Sequence, residues 1–331
     1  MRKLLDDKKA IFYLLVSSVF IAVMIVVFLA YKEYAYTDKQ KVVETRIRTI
    51  NDFIKSMDTD SERVIFISGF RSLIALEDYV ARTGHYLDNS AEYFRLAFYN
   101  GTVNGTRVDL LVNSSYYDYL VKLRIIAGRM GMSIDVNVTN ITLYQESPWS
   151  ITVNVTAQIN LTDQKGLARW DFSKVYNTSV SILSIRDPVY SVATSGRVPN
   201  TIRITNITDF VASDNDTGNL MYHVSYSFYD ANALAPSFLM RLEGRLNESS
   251  PCCGIESFVN VPDLITQGVV YNDLKSIIDY TLFSNITGYE NVTCSVQNIT
   301  DSYPWFKIDV NHTRSPSPNY IENLQYTLCT P

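Results

Sequence analysis

The chain has 331 residues, of which 47% are hydrophobic and 19% are charged, with a formal net charge of −5 and a pI near 5.3. Such an apolar content excludes an intrinsically disordered chain, which has too few apolar residues to form a core. The acidic balance disfavours nucleic acid as a partner, because domains that bind nucleic acid carry a basic patch. The length accommodates one large or two modest domains together with an anchor.

An uncharged apolar run begins near the N-terminus, at residues 11–31, and reads IFYLLVSSVFIAVMIVVFLAY. As a helix it spans roughly 30 Å, which is the hydrocarbon thickness of a bilayer. A buried core helix rarely stays uncharged over this length. A cleaved secretory signal usually has a shorter apolar region of roughly 7–15 residues that ends at small residues. The run therefore predicts a retained transmembrane anchor.

The ten residues before the anchor are rich in positive charge, with Arg2, Lys3, Lys8 and Lys9. Positively charged residues that flank a span tend to stay in the cytoplasm. The sequence therefore predicts a single-pass protein of the cell membrane. Its tail of residues 1–10 is cytoplasmic, and its C-terminal ectodomain, after Lys32, is extracellular.

A long amphipathic helix is predicted directly after the anchor, over residues 32–84. Its apolar positions recur at spacings of three and four, which is the helical period. Gly84 is a plausible end for this helix. The anchor and this segment form either one continuous stalk helix or two helices with a break near the membrane surface. The apolar stripe consists of Val43, Ile47, Ile50, Ile54, Met57, Val64, Ile67, Phe70 and Ile74.

The rest of the ectodomain mixes helices with strands. Helices are predicted at 90–99 and 115–130, and strands at 133–144 and 151–162. The apolar residues of segment 151–162 alternate with Asn and Thr, which is the period of a strand with one solvent face. In segment 133–144 the apolar face switches near Thr139, as a β-bulge would cause. Further strands are predicted at 175–185, 201–207 and 220–229, and further helices at 237–246 and 273–283.

These elements together predict an α+β fold. An N-terminal transmembrane helix continues into a long amphipathic stalk helix, and a mixed ectodomain with an antiparallel β-sheet and several helices follows. The predicted regions are a cytoplasmic tail at 1–10, an anchor at 11–31, a stalk helix at 32–84, a glycosylated α+β head at 85–235 and a cysteine-containing region at 236–331.

The ectodomain contains many N-glycosylation acceptor triplets, Asn-x-Ser/Thr, which we call sequons. They include 15 of the 24 asparagines, whereas chance would give about four, so the excess predicts N-glycans on an extracellular surface. The acceptor asparagines are Asn100, Asn104, Asn113, Asn137, Asn140, Asn154, Asn160, Asn177, Asn206, Asn215, Asn247, Asn285, Asn291, Asn298 and Asn311.

Four cysteines, Cys252, Cys253, Cys294 and Cys329, all lie in the last third of the chain. An even number of cysteines outside the cell suggests disulfides. Because adjacent cysteines bridge to each other only with strain, we expect Cys252 and Cys253 to pair with Cys294 and Cys329 in some order. The spacing typical of a zinc site is absent, so no metal is predicted.

No catalytic motif or cofactor motif is recognisable in the sequence. His223 falls on the polar face of the predicted strand 220–229 and is expected to be exposed. Asp187-Pro188 and Glu243 are interpreted as residues of helix caps and turns in preference to catalytic acids. We therefore predict a protein without a cofactor that is not an enzyme. The alternative is a pair of acids brought together by the fold.

The N-terminal layout resembles that of archaeal type IV pilin-like surface proteins. The matching features are a basic tail that ends Lys8-Lys9-Ala10, an apolar run from Ile11, and a direct continuation into an amphipathic helix. The resemblance implies cleavage between Ala10 and Ile11, and a homo-oligomer or filament formed through the N-terminal helix. Pilins usually have Glu at the fifth position after the cut, where this chain has Leu15.

The predicted function is thus that of a membrane-anchored, N-glycosylated surface protein of pilin-like architecture, with a structural or interaction role. Its partners are the membrane, glycans and other copies of itself. The alternatives are an adhesin or receptor that does not polymerise and, third, an ecto-enzyme.

Overall fold

The computed structural model describes residues 8–166, 168–207, 218–247, 252–284, 293–296, 302–309 and 326–330. Several predictions lie outside these residues, namely the tail up to residue 7 and the sequons at Asn215, Asn285, Asn291, Asn298 and Asn311. The chain divides into two compact units. Unit 1 consists of Met1–Asp60 and Thr162–Arg169, and unit 2 consists of Ser61–Leu161 and Trp170–Pro331.

The fold is α+β, as predicted. The helices are α1 (Lys8–Thr83), α2 (Ser90–Asn100), α3 (Tyr116–Arg129), α4 (Pro188–Ala193), α5 (Gly218–Tyr226), α6 (Phe238–Leu242), α7 (Val261–Thr266) and α8 (Asp279–Leu282), with a 3₁₀ turn at Asp109–Leu111. The strands are β1 (Thr102–Val103), β2 (Thr106–Arg107), β3 (Met132–Ser147), β4 (Ser150–Asp163), β5 (Arg169–Ser181), β6 (Tyr229–Ala231), β7 (Ile255–Ser257), β8 (Thr293–Val296), β9 (Lys307–Asp309) and β10 (Tyr326–Thr330).

Helix α1 contains the predicted anchor and ends where the sequence predicted. Gly84 adopts φ +67°, and its N–H donates to Val80 O at 2.9 Å, which closes the last turn. The residues of α1 belong to both units, so a rigid stalk stays a prediction. Within unit 1, Arg46 Nε lies 2.6 Å from the buried Asp163 Oδ1.

The buried face of α1 within unit 2 differs from the predicted apolar stripe. Ser61, Ile65 and Ser72 are buried, whereas Ile67 of the predicted stripe is 40% exposed. Small side chains let the helix approach the sheet closely. A Cβ added at Gly69 would lie 3.1 Å from Val180 Cγ2 of β5. A count of apolar residues misses this face because serine and glycine form part of it.

Strands β3, β4 and β5 form a three-stranded sheet with β4 in the centre. As predicted, alternate residues of β4 are buried, and Val153 and Val155 are 0% exposed. The opposite face of β4 was expected to be open to solvent, but Asn154 and Asn160 are only half-exposed because β4 is flanked on both sides. In β3 the alternation of burial shifts at Thr139, where the sequence predicted a change of face.

The other described strands form three small sheets, β1–β2, β6–β7 and β10–β8–β9, with antiparallel pairing. The expected strand at 201–207 is wrong. In that segment only Thr201 and Ile204 make isolated bridges.

The expected strand at 220–229 is also wrong, because most of it forms α5. The buried residues of α5 are Leu220, His223 and Val224, which follow the three-and-four spacing of a helix. The apolar residues of this segment satisfy both periods, and Leu220 and Val224 are one helical turn apart.

The predicted helices at 237–246 and 273–283 are correct in type but too long. The first is limited to Phe238–Leu242 and the second to Asp279–Leu282. The predicted helices at 90–99 and 115–130 correspond to α2 and α3 within about one residue. Ser115 forms a capping box with Asp118 at the start of α3.

Candidate functional site

The most unusual feature of unit 2 is Arg241 of α6, whose side chain is 0% exposed. Nη1 donates to Asp187 Oδ2 at 2.6 Å and to Asp279 Oδ2 at 2.9 Å. Nη2 donates to Asp279 Oδ1 at 3.2 Å and to Ile255 O, and Nε donates to Pro236 O at 3.3 Å. A guanidinium has five N–H donors, and each has an acceptor here. We call Arg241, Asp187 and Asp279 the Arg241 junction.

Asp187 is placed by α4. It is the N-cap of that helix and accepts a hydrogen bond from Val189 N at 2.8 Å, while Pro188 opens the first turn. Its other oxygen also accepts from Tyr229 OH at 2.7 Å. The interpretation of Asp187-Pro188 as a cap is therefore confirmed. The sequence gave no sign that the same carboxylate holds a buried arginine.

Asp279 opens α8 and is saturated with hydrogen bonds. Besides Arg241, it accepts from Ser257 N at 3.2 Å, from Ser257 Oγ at 3.0 Å and from Tyr280 N at 2.6 Å. Burial raises the pKa of Asp279 to about 6, and the charge of Asp187 acts in the same direction, while Arg241 opposes both. Burial lowers the pKa of Arg241, but the two carboxylates outweigh that effect and raise it overall.

Phenols surround the junction. Tyr190 OH lies 2.8 Å from Ser257 Oγ, and burial raises the pKa of Tyr190 and of Tyr229. Burial also raises the pKa of Tyr86 to about 12. These hydroxyls stay protonated in the fold, and Tyr229 OH donates to Asp187.

The Arg241 junction carries two negative groups and one positive group, and all three side chains are 0% exposed. A catalytic acid or base must reach its substrate, and these groups have no open face. The arrangement instead ties α4, α6, α8 and β7 together. Removing one partner from such a site leaves a buried charge without compensation.

His223 lies in the buried part of α5, so the expectation of an exposed histidine is wrong. It is 1% exposed, and its ring packs edge-on against Phe258 with centroids 5.3 Å apart. Its Nδ1 lies 3.1 Å from Thr205 Oγ1. Burial lowers the pKa of His223 to about 4, although Glu256 acts in the opposite direction. The error follows directly from the strand assignment of 220–229.

Glu243 acts as a cap, in agreement with its interpretation from sequence. Its Oε1 accepts from Ser90 N at 2.8 Å at the start of α2. A second buried acid, Glu77 of α1, is paired with Arg186 at 3.0 Å and with Ser191 Oγ at 3.0 Å. Burial raises the pKa of Glu77 despite the charge of Arg186.

The cysteines differ from the expected pairing. Cys252 and Cys253 lie at disulfide distance from each other, so they do not pair with the other two. Cys294 of β8 and Cys329 of β10 are directly opposite each other in register. The chain makes a tight loop directly after Cys253, at Gly254. A Cβ on Gly254 would lie 2.1 Å from Ala235 O, so only glycine fits there.

The sequon asparagines in the described residues occupy two environments. Asn154 and Asn160 are half-exposed on β4, and Asn154 Nδ2 donates to Tyr144 OH at 3.0 Å. The exposed ones are Asn100, Asn104, Asn113, Asn137, Asn140, Asn177, Asn206 and Asn247.

A cleft of about 480 Å³ lies between the last turn of α1 and the β1–β2 hairpin. The hairpin turns at Asn104-Gly105, with φ +48° and +73°, which is the backbone shape that Asn-Gly favours in a two-residue hairpin. Asn104 lines the cleft, and its Nδ2 donates to Tyr79 OH at 3.1 Å. The sequence analysis did not identify this hairpin, although Asn-Gly is a strong signal for it.

The N-terminal segment Ile11–Glu33 is a helix of 23 residues that is long and apolar enough to cross a membrane, and none of it is buried in the protein. Ala10 and Ile11, the predicted processing site, both lie within α1.

A metal site was not predicted from the sequence. Over the part of the chain that the structure describes, no group of three or more His, Cys, Asp or Glu side chains is placed to hold a metal ion.

No protein-family model, no curated protein and no solved structure matches this chain.

Proposed function

We propose that this chain is a membrane-anchored, N-glycosylated protein of the cell surface, with a structural or interaction role and a pilin-like architecture. The observation that carries the proposal is the exposure of segment 11–33. Its large apolar side chains are between 47% and 73% exposed from Ile11 to Tyr31. Soluble proteins rarely leave so large an apolar surface uncovered. A bilayer covers it along its whole length.

The sequons support an extracellular head. In the described residues none of the acceptor asparagines is buried, so a glycan has room at most of these positions. Asn154 and Asn160 are the exceptions, since both lie in the central strand. We expect high occupancy at the exposed sequons and low occupancy at these two.

The pilin-like role rests on the resemblance of the N-terminal layout. In this proposal the basic tail is removed before Ile11, and the apolar part of α1 packs against the same segment of other copies. The alternative is an adhesin or receptor that stays tethered as a single copy. Leu15 favours that alternative, because pilins usually have Glu at this position.

Fractionation of host cells that express the full chain tests the anchor and the topology together. We expect the protein in the membrane fraction after a high-salt wash, and we expect external protease to remove the head from intact cells. A variant with three charges in the span, Val19→Lys, Val23→Lys and Val27→Lys, should leave the membrane. A matched set of changes to leucine should not. Recovery of the unmodified protein in the cytosol would overturn the proposal.

Mass spectrometry of the first peptide of the membrane protein separates the two roles. A start at Ile11 favours the filament subunit, and a start at Met1 favours the tethered adhesin or receptor.

A further inference from the structure

We infer that the cleft beside Asn104 is a carbohydrate-binding site and that its ligand is the N-glycan attached to Asn104 itself. The inference rests on the proposed glycosylation of the head. It adds that this one glycan folds back on the protein, whereas the others extend into solvent.

The attachment atom contacts a residue that lines the cleft. Asn104 Nδ2 is the atom that carries an N-glycan, and it lies 3.1 Å from the OH of Tyr79, which lines the cleft together with Asn104. The host transferase supplies the sugar from an activated sugar-phosphate donor. Nδ2 forms the bond to sugar C1, the C1–phosphate bond breaks with its electrons on phosphate, and one amide proton is lost. One N–H remains on Nδ2 after glycosylation, and we expect it to donate to Tyr79 OH and so to direct the first sugar along the cleft.

The cleft has a suitable size and chemistry for sugars. Its volume of about 480 Å³ lies within the range of roughly 300–1,000 Å³ typical of small-molecule sites. Tyr79 offers a half-buried phenol, which combines an apolar ring with a polar hydroxyl. Arg82, Arg107 and Asp109 offer planar polar groups for adjacent hydroxyls, and Arg107 and Asp109 have no ion-pair partner among the described residues.

The position of Asn104 makes it accessible to a transferase. It is exposed at the tip of a two-residue hairpin, and Thr106, the hydroxyl residue of its sequon, opens β2. Asn154 makes a similar hydrogen bond to Tyr144, but it is half-buried in the central strand of a sheet. A hydrogen bond from asparagine Nδ2 to a tyrosine hydroxyl thus occurs in both places, and we expect a glycan at Asn104 alone of the two.

Two variants of the full chain, purified in detergent from the native host, test the inference. Thr106→Val removes the Asn104 sequon but keeps the asparagine and its hydrogen bond. Thr142→Val removes the Asn140 sequon on the exposed part of β3. We expect Thr106→Val to lower Tm by about 3 °C and Thr142→Val to leave Tm unchanged. Neither change should matter in protein from a host without N-glycosylation.

A glycosidase applied to the native protein gives a second readout. The glycan on Asn104 should be removed at least several-fold more slowly than that on Asn140, and the difference should disappear after denaturation. Equal rates, or equal Tm values for the two variants, would overturn the inference. An unmodified Asn104 beside occupied sequons overturns this inference alone, whereas a protein without any glycan overturns the proposed function as well.

Discussion

The inner face of β4 and the Arg241 junction are both closed to solvent, yet different interactions stabilise them. On β4 the buried residues are aliphatic, and Ile151 and Val153 are 0% exposed. At the junction a guanidinium is held between two carboxylates that are also 0% exposed. Where the packing is aliphatic, a substitution lowers the free energy of unfolding in proportion to the volume removed. In the buried charge cluster, loss of the single cation leaves both carboxylates without compensation.

The largest effect is expected from Arg241→Ala. It leaves Asp187 and Asp279 buried without their shared cation, which should lower the free energy of unfolding by about 3–5 kcal/mol. Urea titration followed by tryptophan fluorescence measures the change. Arg245→Ala is the control, because the Arg245 side chain is 58% exposed where it pairs with Glu243 at 2.7 Å, and the change should cost less than about 1 kcal/mol. Equal losses in the free energy of unfolding would show that the buried charges of the junction contribute no more than an exposed arginine does.

A slightly smaller effect is expected on the β4 side of the comparison. Ile151→Ala removes three buried carbons and leaves a cavity, so the free energy of unfolding should fall by about 3 kcal/mol. Ile151→Val should cost about 1 kcal/mol, since the loss scales with the volume removed. Val175→Ala on β5 is the exposed control, because Val175 is 59% exposed. A loss at Val175 as large as that at Ile151 would contradict the assignment of the two faces.

The acid dependence of stability reports on two buried titratable groups, His223 of α5 and Asp279 of the Arg241 junction. The pKa of His223 is about 4 in the fold, below its usual value of 6.5, so the unfolded chain binds the proton more tightly. The stabilisation is complete above pH 6.5 and is lost as the pH falls towards 4. Between pH 6.5 and 5 the loss is about 2 kcal/mol. The pKa of Asp279 is raised in the fold, so its protonation stabilises the folded protein as the pH falls. This gain offsets part of the loss caused by His223.

His223→Gln should remove this dependence on His223 and leave the opposite trend of Asp279. Urea midpoints of the two proteins at pH 7 and pH 5 provide the measurement. A variant with the same pH dependence as the parent would mean that His223 does not titrate in this window.

The smallest effect is expected for an exposed ion pair near the sheet. Arg124 and Asp135 lie 3.2 Å apart with side chains that are 42% and 77% exposed. Arg124→Ala should change the free energy of unfolding by less than about 1 kcal/mol, and the difference should vanish in high salt. A loss comparable to that of Arg241→Ala would remove the contrast between surface and buried charges.

The sequence predicted the elements whose pattern has one period. Strand β4 and helix α3 belong to this group. The end of α1 was predicted from a different signal, the glycine at position 84. Segment 220–229 failed because Leu220 and Val224 fit a strand and a helix equally well. The buried face of α1 was displaced because Ser61 and Ser72 pack as closely as apolar residues do.

The candidate sites were harder to predict than the fold. Arg241 is joined to partners 54 and 38 residues away, and no local pattern connects them. A charged residue inside the apolar stretch Phe238–Leu242 was the only local signal. For the cleft, the Asn104-Gly105 pair was visible in the sequence, whereas its contact with Tyr79 depends on tertiary structure.

The central claim is that the head is a glycosylated surface domain held by the N-terminal span. Its most direct test is glycopeptide mass spectrometry of the full chain isolated from washed membranes of the native host. The account predicts glycans at Asn137, Asn140 and Asn177, little or none at Asn154, and complete loss of the glycopeptides when intact cells are treated with protease. A chain without glycans at these sites, whose head is protected from external protease, would contradict the account.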